Sequence, residues 1–125
     1  MGRGFARAED GLDIDRVQET LRAFARERDW EQFHHPKNLA MALAGEAGEL
    51  VEIFQWLTEL ESRNAPNDPR IAKATRAELA DILIYALRLA DIMRIDVTHA
   101  VDDKIEANAA RYPVSTARGT ARKHS

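Results

Sequence analysis

Two pairs of acidic residues have a spacing that could bind a metal ion. Glu46 and Glu49 are three residues apart in GEAGELVEIFQW, and Glu78 and Asp81 are three residues apart in AELADILIY. On a helix, residues three apart are neighbours, with Cβ atoms about 5–6 Å from one another. The two carboxylates of each pair could then bind the same cation, because hard divalent ions prefer carboxylate oxygens as ligands.

Helical phasing places the first acid of each pair among apolar residues. Glu46 falls between Leu43 and Leu50, and Glu78 falls beside Ile82, while the second acid of each pair lies on the flank of the apolar face. A buried charge is normally paired or coordinated to a metal. The alternative is a set of solvated surface acids. We predict one divalent-metal site formed by Glu46, Glu49, Glu78 and Asp81.

Composition limits the class of protein. The chain has 125 residues, 45% of them apolar and 31% charged, which is typical of one folded globular domain. A net charge of −3 argues against binding a nucleic acid polymer through broad electrostatics. The absence of cysteine excludes disulfides and thiolate chemistry. No apolar run reaches membrane-spanning length and no signal peptide is evident, so we expect a cytoplasmic protein that is not bound to membranes.

The order of helical patterns and turns predicts an all-α fold with four helices. Asp13 and Asp96 are expected N-caps, and Pro113 is expected to end the last helix. We expect a flexible segment over residues 1–11, a single domain over 12–114 and a basic tail over 115–125. The predicted helices cover residues 13–29, 37–61, 70–93 and 96–112.

The third predicted helix is apolar on nearly every side between Leu79 and Leu89. A helix of this kind is buried on most of its surface. Three other short helices from one chain would have difficulty covering it, so we expect an oligomer.

The fourth predicted helix carries three side chains that suit phosphate. Lys104, Asn108 and Arg111 are four and three residues apart, and therefore share one face. Lysine offers a point charge and arginine a bidentate fork to phosphate oxygens. The alternative is a solvated basic face.

Aromatic and polar residues elsewhere could bind the rest of a nucleotide. Trp30 and Trp56 could stack on a base, although a tryptophan often serves only the core. Tyr85 falls between the acids of the second pair in helical projection, where its hydroxyl could orient a ligand. His34 and Asn38 flank Pro36 at the start of the second helix.

Four segments in order resemble one family. They are FHHPKNL, GEAGELVEIFQW, ELADILIY and the run from Lys104 to Val114. Together they are similar to the all-α nucleotide pyrophosphohydrolases of the MazG-like superfamily, and within it to the dCTP pyrophosphatases. The resemblance spans about residues 14–122. One departure is His35, where a glutamine is expected in near relatives.

The resemblance implies a four-helix MazG-like bundle completed by formation of a homodimer or homotetramer. It implies Mg²⁺ bound by the four acids, with Mn²⁺ as a substitute, and a nucleoside triphosphate substrate. Glu49 is our expected general base, and Glu46 is the second residue that we expect to be catalytic. Phosphate contacts are implied for Lys104, Asn108 and Arg111, and base or sugar contacts for Trp30, His34, Asn38, Trp56 and Tyr85.

The implied reaction is hydrolysis of dCTP, or of a modified dCTP, to the monophosphate and pyrophosphate, as part of nucleotide house-cleaning. Two alternatives stay open from the sequence. The same chemistry could act on another triphosphate such as dUTP, or the chain could be a non-catalytic helical dimerisation module.

Overall fold

A computed structural model describes residues 11–121, and all regular structure in that range is helical. This confirms the predicted all-α class. Most of the expected flexible N-terminal segment, and the end of the basic tail from Arg122, lie outside the described residues. The helices are α1 (Ile14–Glu27), α2 (Pro36–Phe54), α3 (Glu59–Arg63), α4 (Pro69–Ile92), α5 (Val97–Arg111) and α6 (Val114–Ala117), with 3-10 turns at Glu31–Phe33 and Ala65–Asn67.

Acidic side chains begin three of the long helices by capping backbone N–H groups that have no partner within the helix. The Asp13 carboxylate accepts a hydrogen bond from the Arg16 N–H at 3.1 Å. Asp68 does the same for α4, with Pro69 as the first helical residue. Asp96 accepts from the His99 N–H at 3.1 Å. The caps predicted at Asp13 and Asp96 are therefore confirmed.

The second helix ends earlier than predicted. The expected single helix to residue 61 is wrong, because α2 ends at Phe54 and α3 begins at Glu59. Thr58 and Glu61 form a capping box. The Thr58 N–H donates to the Glu61 carboxylate at 2.8 Å, and the Glu61 N–H donates to the Thr58 hydroxyl at 3.1 Å. Trp56 lies in the turn between the helices, and its side chain is 86% exposed. The helical phasing that placed Trp56 on the acidic side of α2 is therefore wrong.

The described residues form two compact units, one ending at Arg94 and the other starting at Ile95. The second unit contains α5 and the one-turn helix α6, which begins directly after Pro113 and which the sequence did not predict. The single domain expected over residues 12–114 stays a prediction. Within residues 11–121, no helix combines the length and apolar character needed to cross a membrane.

Helix α4 is the centre of the first unit. It packs along α2 and also contacts α1. The Gln18 side chain of α1 donates to the Leu87 carbonyl of α4 at 3.0 Å, and Arg22 of α1 forms an ion pair with Asp91 of α4 at 2.9 Å. The buried apolar side chains of the described residues are few and mostly small: Ala25, Leu39, Ala65, Leu87 and Ala90.

Large apolar side chains of α4 remain accessible in the single chain. Leu79, Leu83 and Ile84 are 46%, 53% and 39% exposed. We call these three residues the exposed face of α4; Leu83 lies one turn after Leu79, and Ile84 is the next residue along the chain. One chain does not cover α4 on all sides, as its apolar sequence led us to expect.

Candidate functional site

The packing of α2 against α4 brings three of the four predicted metal ligands together. Glu46 and Glu49 come from α2, and Glu78 comes from α4. One carboxylate oxygen from each residue can be chosen so that all three atoms lie within 4.8 Å of one another. We call these three residues the acidic cluster.

Two oxygens of the acidic cluster are buried without a partner. Glu46 and Glu78 are half-buried, whereas Glu49 is exposed. The Oε2 atoms of Glu46 and Glu78 are shielded from solvent, and neither has a hydrogen-bond partner among the described residues. A buried polar atom in this state lowers stability unless a ligand compensates it. Since the available ligand atoms are all carboxylate oxygens, the arrangement fits a hard divalent cation.

The crowding of carboxylates raises the pKa of two members of the cluster. The pKa of Glu46 is raised mainly by Glu78, because a protonated Glu46 can donate to that carboxylate, and burial adds to the effect. The pKa of Glu49 is raised mainly by Glu46 in the same way. Both shifts show that the negatively charged forms are disfavoured when no cation is bound.

Asp81 lies outside the acidic cluster but close to it. It is half-buried on α4, one turn after Glu78, and its charge contributes to the raised pKa of Glu46. Its role as a fourth ligand stays a prediction. Tyr85, one further turn along α4, is also half-buried.

A second group of predicted residues gathers at the end of α1. The backbone reverses at Asp29, which has a φ of 55°, and the Trp30 N–H donates to the Ala25 carbonyl at 2.9 Å. This is the hydrogen-bond pattern of a Schellman motif. It places the Trp30 ring 5.7 Å from Phe24 and 6.2 Å from His34, measured between ring centroids. Trp30 and His34 are therefore neighbours, and their assignment to the nucleoside stays a prediction.

Asn38 has a local contact instead of an inward one. Its side-chain amide donates to the Phe33 carbonyl at 3.0 Å, which ties the 3-10 turn to the start of α2. The Asn38 residue is otherwise exposed. Its assignment to substrate binding stays a prediction.

Arg88 is a polar residue of this region that the sequence reasoning missed. It is 5% exposed, and its Nε donates to His34 Nδ1 at 3.1 Å. Its Nη1 lies 3.4 Å from Asp91 Oδ2. Burial, and secondly the Arg88 charge, lowers the pKa of His34. The available signal was one arginine inside the apolar run LIYALRLADI, a position where a charge needs a specific partner.

The predicted phosphate-binding residues lie in the second unit. Lys104, Asn108 and Arg111 are all exposed, and they share one face of the continuous helix α5. The Arg111 guanidinium carbon lies 5.5 Å from the centroid of the Tyr112 ring. Their contact with phosphate stays a prediction.

In this all-α fold, two packed helices together present a cluster of carboxylates. This arrangement defines a class of candidate metal-binding helical proteins. Comparison with known families narrows that class, because residues 42–125 match the MazG-like family. The chain therefore belongs to the MazG-like family.

Three individual proteins illustrate the relationship. Bovine dCTP pyrophosphatase 1 is 50% identical over 102 residues, which cover 82% of this chain and 60% of that protein. A crystal structure of a pyrophosphatase from Archaeoglobus fulgidus superposes with a TM-score of 0.74 at 35% identity, covering 86% of this chain and 99% of the other. A dATP/dGTP diphosphohydrolase from Cyanophage S-2L is 34% identical over 64 residues, covering 51% of this chain and 54% of that protein. The chain thus spans 60% of the bovine relative's length.

The acidic cluster should make the cation-free protein less stable at neutral pH. A carboxyl group with a raised pKa holds its proton more tightly in the folded state, so stability falls as pH rises from the ordinary value of 4.5 through the raised pKa. With EDTA at pH 8, Glu46→Gln should therefore melt at a higher temperature than the parent protein. The difference should shrink as the pH falls towards 4.5, which thermal unfolding monitored by circular dichroism would measure.

Adding Mg²⁺ should reverse that order. A ligand bound only by the folded state raises its stability, and Glu46→Gln removes one of the oxygens that would bind it. Glu19→Gln, an exposed substitution on α1, should track the parent in both conditions. A Glu46→Gln variant less stable than the parent in EDTA at pH 8 would contradict this account.

Proposed function

We propose that this protein hydrolyses dCTP, or a modified dCTP, to the nucleoside monophosphate and pyrophosphate in a reaction that depends on Mg²⁺, with Mn²⁺ as a substitute. The observation that carries the proposal is the acidic cluster, whose Glu46 and Glu78 have buried oxygens without partners. Membership of the MazG-like family supports nucleotide pyrophosphohydrolase chemistry. The name of the bovine relative, dCTP pyrophosphatase 1, supports dCTP as substrate. A role in clearing unwanted nucleotides is part of the proposal.

The residues that would hold the cation are Glu46, Glu49 and Glu78, with Asp81 as the fourth. A divalent cation bound there would neutralise charge on phosphate oxygens and favour ionisation of a water molecule. The donor set suits Mg²⁺ because every ligand is an oxygen. Mn²⁺ accepts the same ligands.

Glu49 is our candidate general base. It is the exposed member of the acidic cluster, so its carboxylate can reach water. As a water molecule attacks the α-phosphorus, its proton passes to a Glu49 oxygen. The bond between the α-phosphorus and the bridging oxygen breaks, and pyrophosphate leaves with the electron pair. Glu46 assists from its half-buried position beside Glu49 as a second acid of the acidic cluster.

Contacts with the nucleotide are proposed separately for residues of each unit. The exposed face of α5 formed by Lys104, Asn108 and Arg111 offers charge and donors for the phosphates. The nucleoside would be bound by aromatic and polar groups of the first unit, in which the Trp30 ring lies next to His34. Further nucleoside contacts are proposed for Asn38, Trp56 and Tyr85.

A second candidate keeps the chemistry and changes the base. The cyanophage relative is named for activity on dATP and dGTP, which supports other bases as candidates. dUTP is a further candidate of this kind. A non-catalytic dimerisation module is the remaining alternative; it predicts no stabilisation by Mg²⁺ and no hydrolysis.

We also propose that the working form is a homodimer or homotetramer. The exposed face of α4 supports this, because Leu79, Leu83 and Ile84 each expose more than a third of their surface in one chain. Light scattering at micromolar concentration should give a mass of at least twice 14.1 kDa. Leu83→Glu should shift the mass towards the monomer, whereas Glu19→Gln should not. A fully active 14.1 kDa species would refute the proposal.

Removing one ligand should abolish turnover without unfolding the protein. Glu46→Gln and Glu78→Gln each delete a negative charge from the acidic cluster while keeping the shape of the side chain. We expect kcat to fall by much more than about tenfold. The measurement is pyrophosphate release from dCTP with Mg²⁺.

Glu52→Gln is the matched control, since Glu52 is an exposed acid of the same helix that lies outside the acidic cluster. It should retain activity close to that of the parent. A Glu46 or Glu78 variant that retains more than about a tenth of the activity would exclude that residue as a ligand.

The base preference should depend on the tryptophans. Trp56 is 86% exposed and Trp30 is 43% exposed, so both rings have surface available for a base. Loss of one stacking partner costs roughly 1–3 kcal/mol, or about a tenfold to hundredfold fall in kcat/KM. The measurement is kcat/KM for dCTP, dUTP, dTTP, dATP and CTP with the parent, Trp30→Ala and Trp56→Ala.

We expect dCTP to be preferred and inorganic polyphosphate, which has no base, to be a poor substrate. Equal use of all five nucleotides, together with no effect of either tryptophan substitution, would refute the pocket assignment. Hydrolysis itself would then still stand as a separate result.

A further inference from the structure

The contact between Arg88 and His34 determines which nitrogen of the imidazole carries the proton. Arginine Nε has an N–H and no acceptor capacity. At 3.1 Å from His34 Nδ1, it can only donate to the lone pair of that nitrogen. Nδ1 is therefore unprotonated, and the proton of the neutral ring lies on Nε2.

The surroundings of Arg88 hold this contact in place. Arg88 is the one charged residue that is buried within residues 11–121. Its Nη1 is 3.4 Å from the Asp91 carboxylate, which also pairs with Arg22 at 2.9 Å. The guanidinium is thus held by Asp91 as well as by His34. If His34 were protonated, its positive charge would lie directly against that of Arg88. Burial and the Arg88 charge together lower the pKa of His34 and keep the ring neutral.

An accessible aromatic surface lies beside the imidazole of His34. The Trp30 ring lies 6.2 Å from the imidazole and is 43% exposed. Among the described residues, no hydrogen bond occupies His34 Nε2. A half-buried donor beside a flat aromatic ring suits a ligand that combines a planar group with an oxygen acceptor.

We propose that Arg88 is a positioning residue that fixes His34 as a neutral Nε2–H donor, and that His34 uses this donor to bind a carbonyl or hydroxyl oxygen in the nucleoside part of the substrate. This inference rests on the proposed function. A neutral acceptor is favoured over phosphate because a phosphate would be bound more strongly by an imidazolium, which the buried guanidinium opposes.

The first experiment tests the Arg88–His34 contact without any reaction. Imidazole ¹⁵N NMR of the full chain can separate the four histidines, with His34→Gln identifying the signals of His34. In the parent at pH 7–8, Nδ1 of His34 should be unprotonated and should show coupling through the hydrogen bond to Arg88 Nε. In Arg88→Met, the coupling should be lost, an Nδ1–H population should appear and His34 should titrate at higher pH. An Nδ1–H population in the parent would overturn the proposal.

The second experiment tests the role of the pair in binding. His34→Phe keeps a ring and removes the donor, and Arg88→Met removes the group that orients it. Each should raise KM for dCTP by about threefold to tenfold with little change in kcat. Since Arg88 acts through His34, the KM of the double variant should be no higher than that of the more impaired single variant. An unchanged KM for His34→Phe would overturn the proposal.

Arg22→Gln is the matched control, because Arg22 also pairs with Asp91 but is not bonded to His34. It should leave the His34 tautomer and KM close to the parent values. Inhibition by inorganic pyrophosphate should be the same for the parent and His34→Phe; a weakened inhibition would show that His34 binds phosphate and would overturn the nucleoside assignment.

The two proposals can fail separately. If Arg88→Met does not fold, the parent NMR spectrum and the His34→Phe kinetics still decide the matter. If no nucleotide is hydrolysed, the proposed function fails, and with it the substrate contact of His34. The NMR experiment would then still decide whether Arg88 fixes the tautomer.

Discussion

The close packing of α2 against α4 is the constraint on which the rest of the site depends. It holds carboxylate oxygens of Glu46, Glu49 and Glu78 within 4.8 Å of one another, where like charges repel. The apolar contacts between the helices must offset this repulsion as well as the burial of two oxygens without partners. The stability of the cation-free fold is therefore reduced by the same groups that are proposed to bind the cation, as is common where function requires an unfavourable arrangement.

Helix α4 joins that cluster to the polar contacts at the end of α1. Glu78 lies in the first half of α4, and Arg88 and Asp91 lie near its end. Through Arg88 the helix holds His34, and through Asp91 it holds Arg22 of α1. Any shift of α4 relative to its neighbours would therefore disturb both the acidic cluster and the orientation of the imidazole. Rigid helices that carry several site residues keep such geometry better than loops do.

The sequence predicted what depends on local rules and missed what depends on distant contacts. Caps at Asp13 and Asp96 follow from residue type and position, and the phasing of Glu46 and Glu78 follows from helical periodicity. The end of α2 was missed because apolar residues continue past Phe54, while the Thr58 capping box starts a new helix. Arg88 was missed because its partner, His34, is 54 residues away in the chain. Periodicity assigns a face to a residue and gives no information on a partner of this kind.

The buried charged groups of α2 and α4 are in two opposite states, with partners or without them. Arg88 has a hydrogen-bond partner on one side and an ion pair on the other, so its burial costs little and fixes the position of its neighbours. Glu46 and Glu78 have oxygens that folding has already removed from water and left without partners. A cation that binds there does not have to displace water from those oxygens, so the free energy already lost in folding is recovered as affinity. The satisfied charge therefore provides rigidity, and the unsatisfied charges favour the proposed binding of a cation.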